Sequence, residues 1–438
     1  MEQVQLTPKV SRRTRWSWYF YDFGNSAYAA VVLLAVYSSY FKNAVVGGAE
    51  GTRLWGISIG IAAIFVAVIS PVLGSIADFS KAKKKFLFVF TAIAIIFTAM
   101  LFFVEKGDVL QGMLFFILAE IGYRGAQVFY DALLVDVSTP ETIGSVSGKG
   151  WAIGSFGGVL ALLIVLLPIQ LIGGTDIVRI SFLITAIFYT LSSIPTFLWV
   201  RQISEPEKLP VGESTITHAF KNLASTFRDV RHYKEFIKFM IAFLIFNDGV
   251  MMTLDYAAII GSTLFGITQM QLIIFVIIVQ ITSVAGAYLF GIISDKISCK
   301  NALIISLIAM GITVAMLFFI KTTFLFYIVG AAAGFFLSGV QAVSRTFVSQ
   351  LAPTSKTTEF YAFLTVAGRT STFIGPLVFG TISFRMHNYY VNQGLNSLLA
   401  EQQGMLWGIG SIILFLVAGL LVLLTVKRLG LKHKPVSG

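Results

Sequence analysis

About twelve apolar runs, each long enough to cross a lipid bilayer, follow one another along this chain of 438 residues. A bilayer core about 30 Å thick needs roughly 20 apolar residues, because a helix rises about 1.5 Å per residue and satisfies its own backbone. Only 12% of the residues are charged, against about 25% in a soluble domain. The sequence therefore predicts an all-α integral membrane protein with twelve transmembrane helices. These begin near Trp16, Arg53, Phe86, Val109, Ser145, Val178, Phe236, Gly266, Asn301, Thr322, Thr357 and Gln403.

The distribution of basic residues predicts the orientation of these helices. With both termini in the cytoplasm, 24 of the 32 Lys and Arg residues fall on the cytoplasmic side, as the positive-inside rule requires. We therefore expect a protein of the cytoplasmic (inner) membrane and attribute its net charge of +11 to topology, not to nucleic-acid binding. The first apolar stretch, of about 25 residues, is longer than the apolar core of a signal peptide and lacks a small-residue cleavage site, so we expect a retained span.

The longest connection between predicted spans divides the chain into two halves. We expect a six-helix bundle in residues 1–200, a cytoplasmic linker in residues 201–235 and a second six-helix bundle in residues 236–438. Apolar and basic residues recur at helical spacing within the linker, which is typical of an amphipathic helix on the headgroup surface, although a simple spacer also fits. The apolar positions are Ile216, Phe220, Leu223, Phe227 and Val230.

A short motif occurs twice, each time at the end of the second apolar run of its half. The copies are Gly74-Ser75-Ile76-Ala77-Asp78 and Gly291-Ile292-Ile293-Ser294-Asp295-Lys296, with their first glycines 217 residues apart. This duplication predicts two six-helix pseudo-repeats. A carboxylate at a helix end facing lysines can hold neighbouring helices in one conformation, whereas the alternative is a set of ordinary interfacial charges. The candidate gating residues are Gly74, Asp78, Lys83, Lys84, Gly291, Asp295 and Lys296.

The repeated motif and the six plus six spans resemble the major facilitator superfamily, whose two halves rock around a central site. Four further stretches resemble its vacuole-effluxer family, also called the unknown major facilitator family. They are Tyr21 to Tyr28, Phe129 to Leu134, Ser147 to Gly154 and Ser338 to Arg345. The resemblance implies transport by alternating access. Because fungal members are linked to autophagy and to amino-acid release from vacuoles, it also implies the release of amino acids. The motif copies depart from the superfamily pattern, with Phe79 in place of a basic residue and Asn301 at the end of the second copy.

Ionisable residues within the apolar runs are the leading candidates for substrate contacts, because a charge at mid-bilayer costs roughly 2.5 to 3.5 kcal/mol unless it pairs or lines a wet cavity. Glu120, Arg124, Gln127 and Asp131 lie on one face of the fourth span, where the first two can pair at i, i+4. The first span carries a second polar stripe, and the seventh carries a third. The full candidate set is Asp22, Asn25, Tyr28, Glu120, Arg124, Gln127, Asp131, Trp151, Asn247, Asp248, Asp255, Gln341 and Arg369.

Each of these candidates has a structural alternative. The charged residues can form buried ion pairs or hydrogen bonds between helices, and Arg369, deep in the eleventh span, requires a carboxylate or an anionic ligand. Trp151 and Tyr130 can stack on substrate or anchor helix ends at the interface. The small residues Gly150, Gly154 and Gly158, and likewise Gly330 and Gly334, are spaced to let helices pack closely.

The sequence favours a secondary transporter over an enzyme. It contains no phosphate-binding loop, no metal-ligand spacing and no nucleophile with a base, so we expect no cofactor and no direct use of ATP. Charges of both signs within the spans fit a small polar or zwitterionic solute, and they fit organic anions too; amino acids are favoured because the family resemblance implies them. The carboxylates Asp22, Asp131 and Asp248 can couple transport to protons. A lipid scramblase or a sensor that does not transport is the alternative. We expect a monomer in the lipid bilayer.

Overall fold

The computed structural model describes residues 11–79, 82–139, 142–202, 233–351 and 372–427, together with Ser214, Thr217, Lys221 and Gly368. Twelve long helices lie within these residues, in the predicted order, and eleven of them are long and apolar enough to span a membrane. The remaining one, Ile374–Asn392, stands in the position of the eleventh span, whose expected start at Thr357 lies outside the described residues. The all-α prediction with twelve spans is confirmed.

The other helices begin close to their predicted positions. In chain order the spans are Arg12–Val46, Gly48–Phe79, Lys83–Phe103, Val109–Ala132, Ile143–Ile172, Thr175–Trp199, Lys234–Asp255, Gln269–Ile297, Cys299–Phe318, Thr323–Leu351, Ile374–Asn392 and Ser397–Leu424.

The first span is longer and less regular than its apolar pattern predicts. It covers 35 residues, from Arg12, whose turn is capped by the Ser11 hydroxyl, to Val46. No glycine or proline interrupts it after Gly24, so it continues through two π-helical segments, Ala29–Ala35 and Phe41–Val46. Such wider turns occur frequently at functional sites. The spacing of apolar residues alone does not predict these π-helical segments, because a span that is apolar on most faces keeps the same pattern when a turn contains one more residue.

The chain forms two compact units. The first consists of Met1–Val46 and Val68–Lys221, and the second of Gly47–Ala67 and Asn222–Gly438. The second span therefore contributes its beginning to the second unit and its remainder to the first. The linker predicted in residues 201–235, with its amphipathic helix, lies largely outside the described residues, and the division at that linker stays a prediction.

In the first unit, the first span packs between the fifth and the sixth because glycines let the backbones approach. A methyl group at Gly150 would lie 2.5 Å from the Trp18 ring, and one at Gly154 would overlap the Asp22 carboxylate. The predicted small-residue stripe on the fifth span is thus a packing surface. Gly24 makes the equivalent approach to the sixth span, where a methyl group would lie 2.6 Å from Cβ of Ser192.

In the second unit, the predicted glycines of the tenth span approach the eighth span. A methyl group at Gly334 would lie 2.6 Å from the carbonyl oxygen of Val279, and one at Gly330 would overlap the ring of Phe275. The start of the second span is held to the seventh by a hydrogen bond of 3.0 Å from Trp55 Nε1 to the carbonyl of Asp255.

Candidate substrate-binding groups

The fourth span carries a buried ion pair at the predicted position. Arg124 Nε lies 2.5 Å from Glu120 Oε1, and the Glu120 side chain is fully buried while that of Arg124 is 17% exposed. The predicted i, i+4 pair is therefore confirmed. The second carboxylate oxygen, Oε2 of Glu120, is buried and accepts no hydrogen bond among the described residues. Such a group is costly to bury alone, so the fourth span presents an acceptor that a cationic partner would satisfy.

An aromatic interface joins the first span to the fourth around this pair. The rings of Tyr28 and Tyr123 lie 4.7 Å apart, and the Tyr28 hydroxyl faces the Glu120 carboxylate without forming a regular hydrogen bond to it. Tyr123, three residues after Glu120, was not predicted, although that spacing places it on the same face of the helix. Aromatic rings in this position restrict the space around the ion pair and supply hydroxyl groups to it.

Tyr130 belongs to the packing of the same interface. Its ring stacks on Trp18 at 4.3 Å and 7° and on Tyr21 at 5.0 Å, and its carbonyl accepts a hydrogen bond of 3.1 Å from Trp18 Nε1. Tyr130 is only 5% exposed, so it packs inside the interface between the first and fourth spans. Trp151 differs, since it is 48% exposed.

Asn25 has a buried amide with unused hydrogen-bonding capacity. The residue is 1% exposed, and neither Nδ2 nor Oδ1 has a hydrogen-bond partner among the described residues. It lies one helical turn from Asp22 on one side and from Tyr28 on the other, one turn before the first π-helical segment begins at Ala29. Each unsatisfied buried polar group costs about 1 to 3 kcal/mol. A polar ligand would recover that cost by both donating to and accepting from this amide.

Two carboxylates, those of Asp22 and Asp131, lie close together on the first and fourth spans. Asp22 is half-buried against Gly154 of the fifth span, and Asp131 lies close enough to affect it electrostatically. Asp131 itself is exposed. Gln127, one turn from Arg124, interacts with the Tyr123 hydroxyl. The structure thus brings the predicted polar residues of the first and fourth spans into one neighbourhood of the first unit.

The second unit carries its own polar cluster on the seventh span. Gln341 Nε2 donates to Asn247 Oδ1 at 2.8 Å, and Asn247 Nδ2 donates to the carbonyl of Gly368 at 3.4 Å. The neighbouring residue Asp248 contacts the eleventh span, because its Oδ1 accepts a hydrogen bond of 3.2 Å from the backbone N–H of Gly375. Asp248 is 3% exposed, so its carboxyl group is held against the start of the eleventh span.

Asp255 and Arg369 are the two remaining candidates in the second half of the sequence. Asp255 is buried, at 5% exposure, seven residues after Asp248 as predicted. Arg369 lies outside the described residues, so its need for a carboxylate or an anionic ligand stays a prediction.

Two of the candidate gating lysines, Lys83 and Lys84, contact neighbouring segments of the first unit. Lys83 Nζ lies 3.9 Å from Asp136 Oδ2 and donates to the carbonyl of Ala132 at 3.3 Å. Lys84 Nζ donates to the carbonyl of Val200 at 2.7 Å. Asp136 was not among the candidate residues, and its pairing with Lys83 joins the third span to the segment after the fourth.

The side chains of the motif carboxylates Asp78 and Asp295 lie outside the described part of the structure, so their gating role, and that of Gly74, stays a prediction. Gly291 has open space at its Cβ position, and Lys296 is exposed. Within the described residues, no group of three or more His, Cys, Asp or Glu side chains is arranged to hold a metal ion.

Comparison with solved structures shows the fold. A variant of the nucleoside transporter NupG aligns with a TM-score of 0.71 at 16% identity, covering 93% of this chain and 99% of that one. A bacterial homologue of the human lysosomal transporter Spinster, in an inward-facing and unoccupied conformation, aligns with a TM-score of 0.69 at 15% identity, covering 94% and 96%. Both are membrane transporters with the major facilitator fold.

Sequence comparison gives the family. The MFS-type transporter YxiO of Bacillus subtilis is 31% identical over 373 residues, which cover 83% of this chain and 86% of YxiO. Autophagy-related protein 22 of Yarrowia lipolytica is 24% identical over 272 residues, so the chain spans about half the length of that fungal relative, 46%. The family model described as "Vacuole effluxer Atg22 like" matches residues 54–400. The chain therefore belongs to the Atg22-like vacuole effluxer family of MFS-type membrane transporters, and it is a transporter, not an enzyme.

Proposed function

We propose that this transporter moves small zwitterionic solutes, with amino acids as the favoured class, by alternating access and in exchange with protons. Its functional unit is a monomer in the cytoplasmic membrane with both termini in the cytoplasm, an orientation supported by the excess of basic residues on that side.

The observation that carries the substrate class is the buried pair of Glu120 and Arg124. A guanidinium has five donors, so its bond to Glu120 is compatible with a second bond to a substrate carboxylate. The buried Glu120 Oε2 offers an acceptor to a substrate ammonium. Asn25, with donor and acceptor both unsatisfied among the described residues, complements the polar backbone of such a solute. A ligand with both charges would contact the pair without leaving either member uncompensated.

Proton exchange is supported by the carboxylates inside the spans. Asp22 and Asp248 both lie in membrane-spanning helices and belong to different units. Keeping such groups in a bilayer is costly, and their common use is in ion or proton transfer. Asp131 lies close enough to Asp22 to affect it electrostatically, so two carboxylates of the first unit share one neighbourhood.

A binding assay on the purified protein tests the substrate class. Zwitterionic amino acids, organic anions and nucleosides are screened for an increase in the temperature of unfolding, since a ligand at 100 times its Kd adds about 2.7 kcal/mol of stability. We expect shifts with amino acids, followed by their flux in proteoliposomes. Shifts confined to anions or nucleosides would contradict the proposal.

Arg179→Gln provides a matched control for Arg124→Gln. Both arginines pair with an acid, and their side chains are 16% and 17% exposed. We expect the shift caused by amino acids to disappear in Arg124→Gln and to persist in Arg179→Gln. Equal losses in both variants would assign the effect to general destabilisation.

A further inference from the structure

A groove opens between the beginning of the third span and the end of the sixth, away from the candidate substrate-binding residues. It has a volume of about 500 Å³. Its floor is apolar and its rim is basic. The lining residues are Lys84, Lys85, Phe88, Val89, Phe197 and Gln202.

The apolar part of the groove is accessible from outside the protein. Phe88 and Val89 are 57% and 49% exposed, although both lie in a membrane span. Phe88 meets Phe197 edge to face, with ring centroids 5.4 Å apart. These side chains therefore present a continuous apolar wall to acyl chains.

The basic rim concentrates positive charge. Lys84 Nζ is fixed by its hydrogen bond to the Val200 carbonyl, which uses one of three ammonium donors. Arg201 lies close enough to repel it, and Lys85 is exposed. Among the described residues, neither Lys84 nor Lys85 forms an ion pair with a carboxylate. A bound anion would relieve this repulsion and use the remaining donors.

The groove also lies at the depth where lipid headgroups are expected. It is formed by the first turn of the third span, where the helix dipole favours a negative charge. At the same end of the sixth span, the guanidinium of Arg13 lies 3.8 Å over the ring of Trp199, an arrangement typical of interfacial anchors. The distribution of Lys and Arg assigns this end to the cytoplasmic leaflet, which holds anionic lipids.

We propose that this groove binds one anionic phospholipid. Its phosphate would contact Lys84 and Lys85, and one acyl chain would lie along Phe88 and Val89. Charge complementarity favours an anionic headgroup over a zwitterionic one, and the exposed apolar wall favours a lipid over free phosphate. Because Lys83, the preceding residue, pairs with Asp136, the bound lipid would sit beside the candidate gating contact of the third span.

The test measures lipid retention by native mass spectrometry after purification from nanodiscs containing phosphatidylglycerol and phosphatidylcholine. Each basic residue at an anionic surface strengthens binding about 5-fold, so the double variant Lys84→Gln/Lys85→Gln should retain phosphatidylglycerol about 30-fold more weakly. The control Lys106→Gln/Lys321→Gln removes the same charge from two exposed lysines of the opposite loops. This control should retain the lipid as the unmodified protein does.

Three results would overturn the proposal. They are equal retention of the two lipids, equal retention by the double variant and the unmodified protein, and displacement of the lipid by inorganic phosphate alone. Phe88→Gln separates a lipid from a free anion, because it should weaken retention only if an acyl chain occupies the groove. Thermal unfolding of every variant in phosphatidylcholine alone must match that of the unmodified protein, which excludes misfolding as the cause.

Discussion

Arg124 Nε and Glu120 Oε1 lie 2.5 Å apart on consecutive turns of the fourth span, and the Glu120 side chain is fully buried. Glu120→Gln would leave the guanidinium without its counter-charge. Removing one partner of a buried pair costs about 3 to 5 kcal/mol, so we expect a lower temperature of unfolding and no transport. Thermal unfolding and proteoliposome flux measure the two effects.

The double variant Glu120→Gln/Arg124→Gln separates stability from transport at this pair. Two neutral side chains leave no unpaired charge, so we expect most of the lost stability to return while transport stays absent. Glu105→Gln is the control, because Glu105 pairs with Arg179 but is 66% exposed; it should cost less than about 1 kcal/mol. If the double variant carried substrate normally, the pair would be structural only.

Asn25→Leu tests whether the unsatisfied amide is kept for a ligand. Leucine has the same number and branching of side-chain heavy atoms and no polar atoms, and the amide has no partner among the described residues to lose. We therefore expect stability to rise by about 1 to 3 kcal/mol and transport to fall at least tenfold. A variant that is less stable yet transports normally would show that Asn25 serves the fold. Thermal unfolding and initial rates of flux distinguish the two results.

Contacts within one helix could be predicted from the sequence, whereas contacts between helices could not. The pair of Glu120 and Arg124 was predictable, because both residues lie on one helix and their spacing fixes their distance. Contacts between helices were not predictable, because the sequence does not give the rotation of one helix against another. The hydrogen bond from Gln341 to Asn247 and the ion pair of Lys83 with Asp136 are of this kind.

Three glycines of the fifth span form a graded series for packing against the first span. A methyl group at Gly148 meets no atom within 4 Å, one at Gly154 meets the Asp22 side chain, and one at Gly157 meets the backbone of Phe23. Because alanine favours helix formation by up to about 1 kcal/mol, Gly148→Ala should be neutral or stabilising. Gly157→Ala should cost about 1 to 3 kcal/mol, since backbone cannot give way easily.

Gly154→Ala should differ from both because a side chain can move. We expect a small loss of stability, since Asp22 can rotate away, but a clear loss of transport, since its carboxylate is displaced. The three alanine variants are compared by thermal unfolding and by KM and maximal flux. If Gly154→Ala transported as Gly148→Ala does, the position of Asp22 would not matter for the cycle.

Asp248→Asn isolates proton exchange from hydrogen bonding in the second unit. The asparagine side chain keeps an oxygen that can accept the bond from the Gly375 backbone N–H, which lies 3.2 Å from Asp248 Oδ1, but it cannot release a proton. We therefore expect near-normal stability, and we expect the rate of substrate flux to be the same with and without a pH gradient. Asp176→Asn, at an acid whose side chain is 82% exposed, should keep the response of the unmodified protein. If Asp248→Asn retained that response as well, Asp248 would not be the coupling residue, and Asp22 and Asp131 would be the remaining carboxylates. Asp22→Asn would then be the decisive variant, because Asp22 and Asp131 lie close enough to affect each other electrostatically.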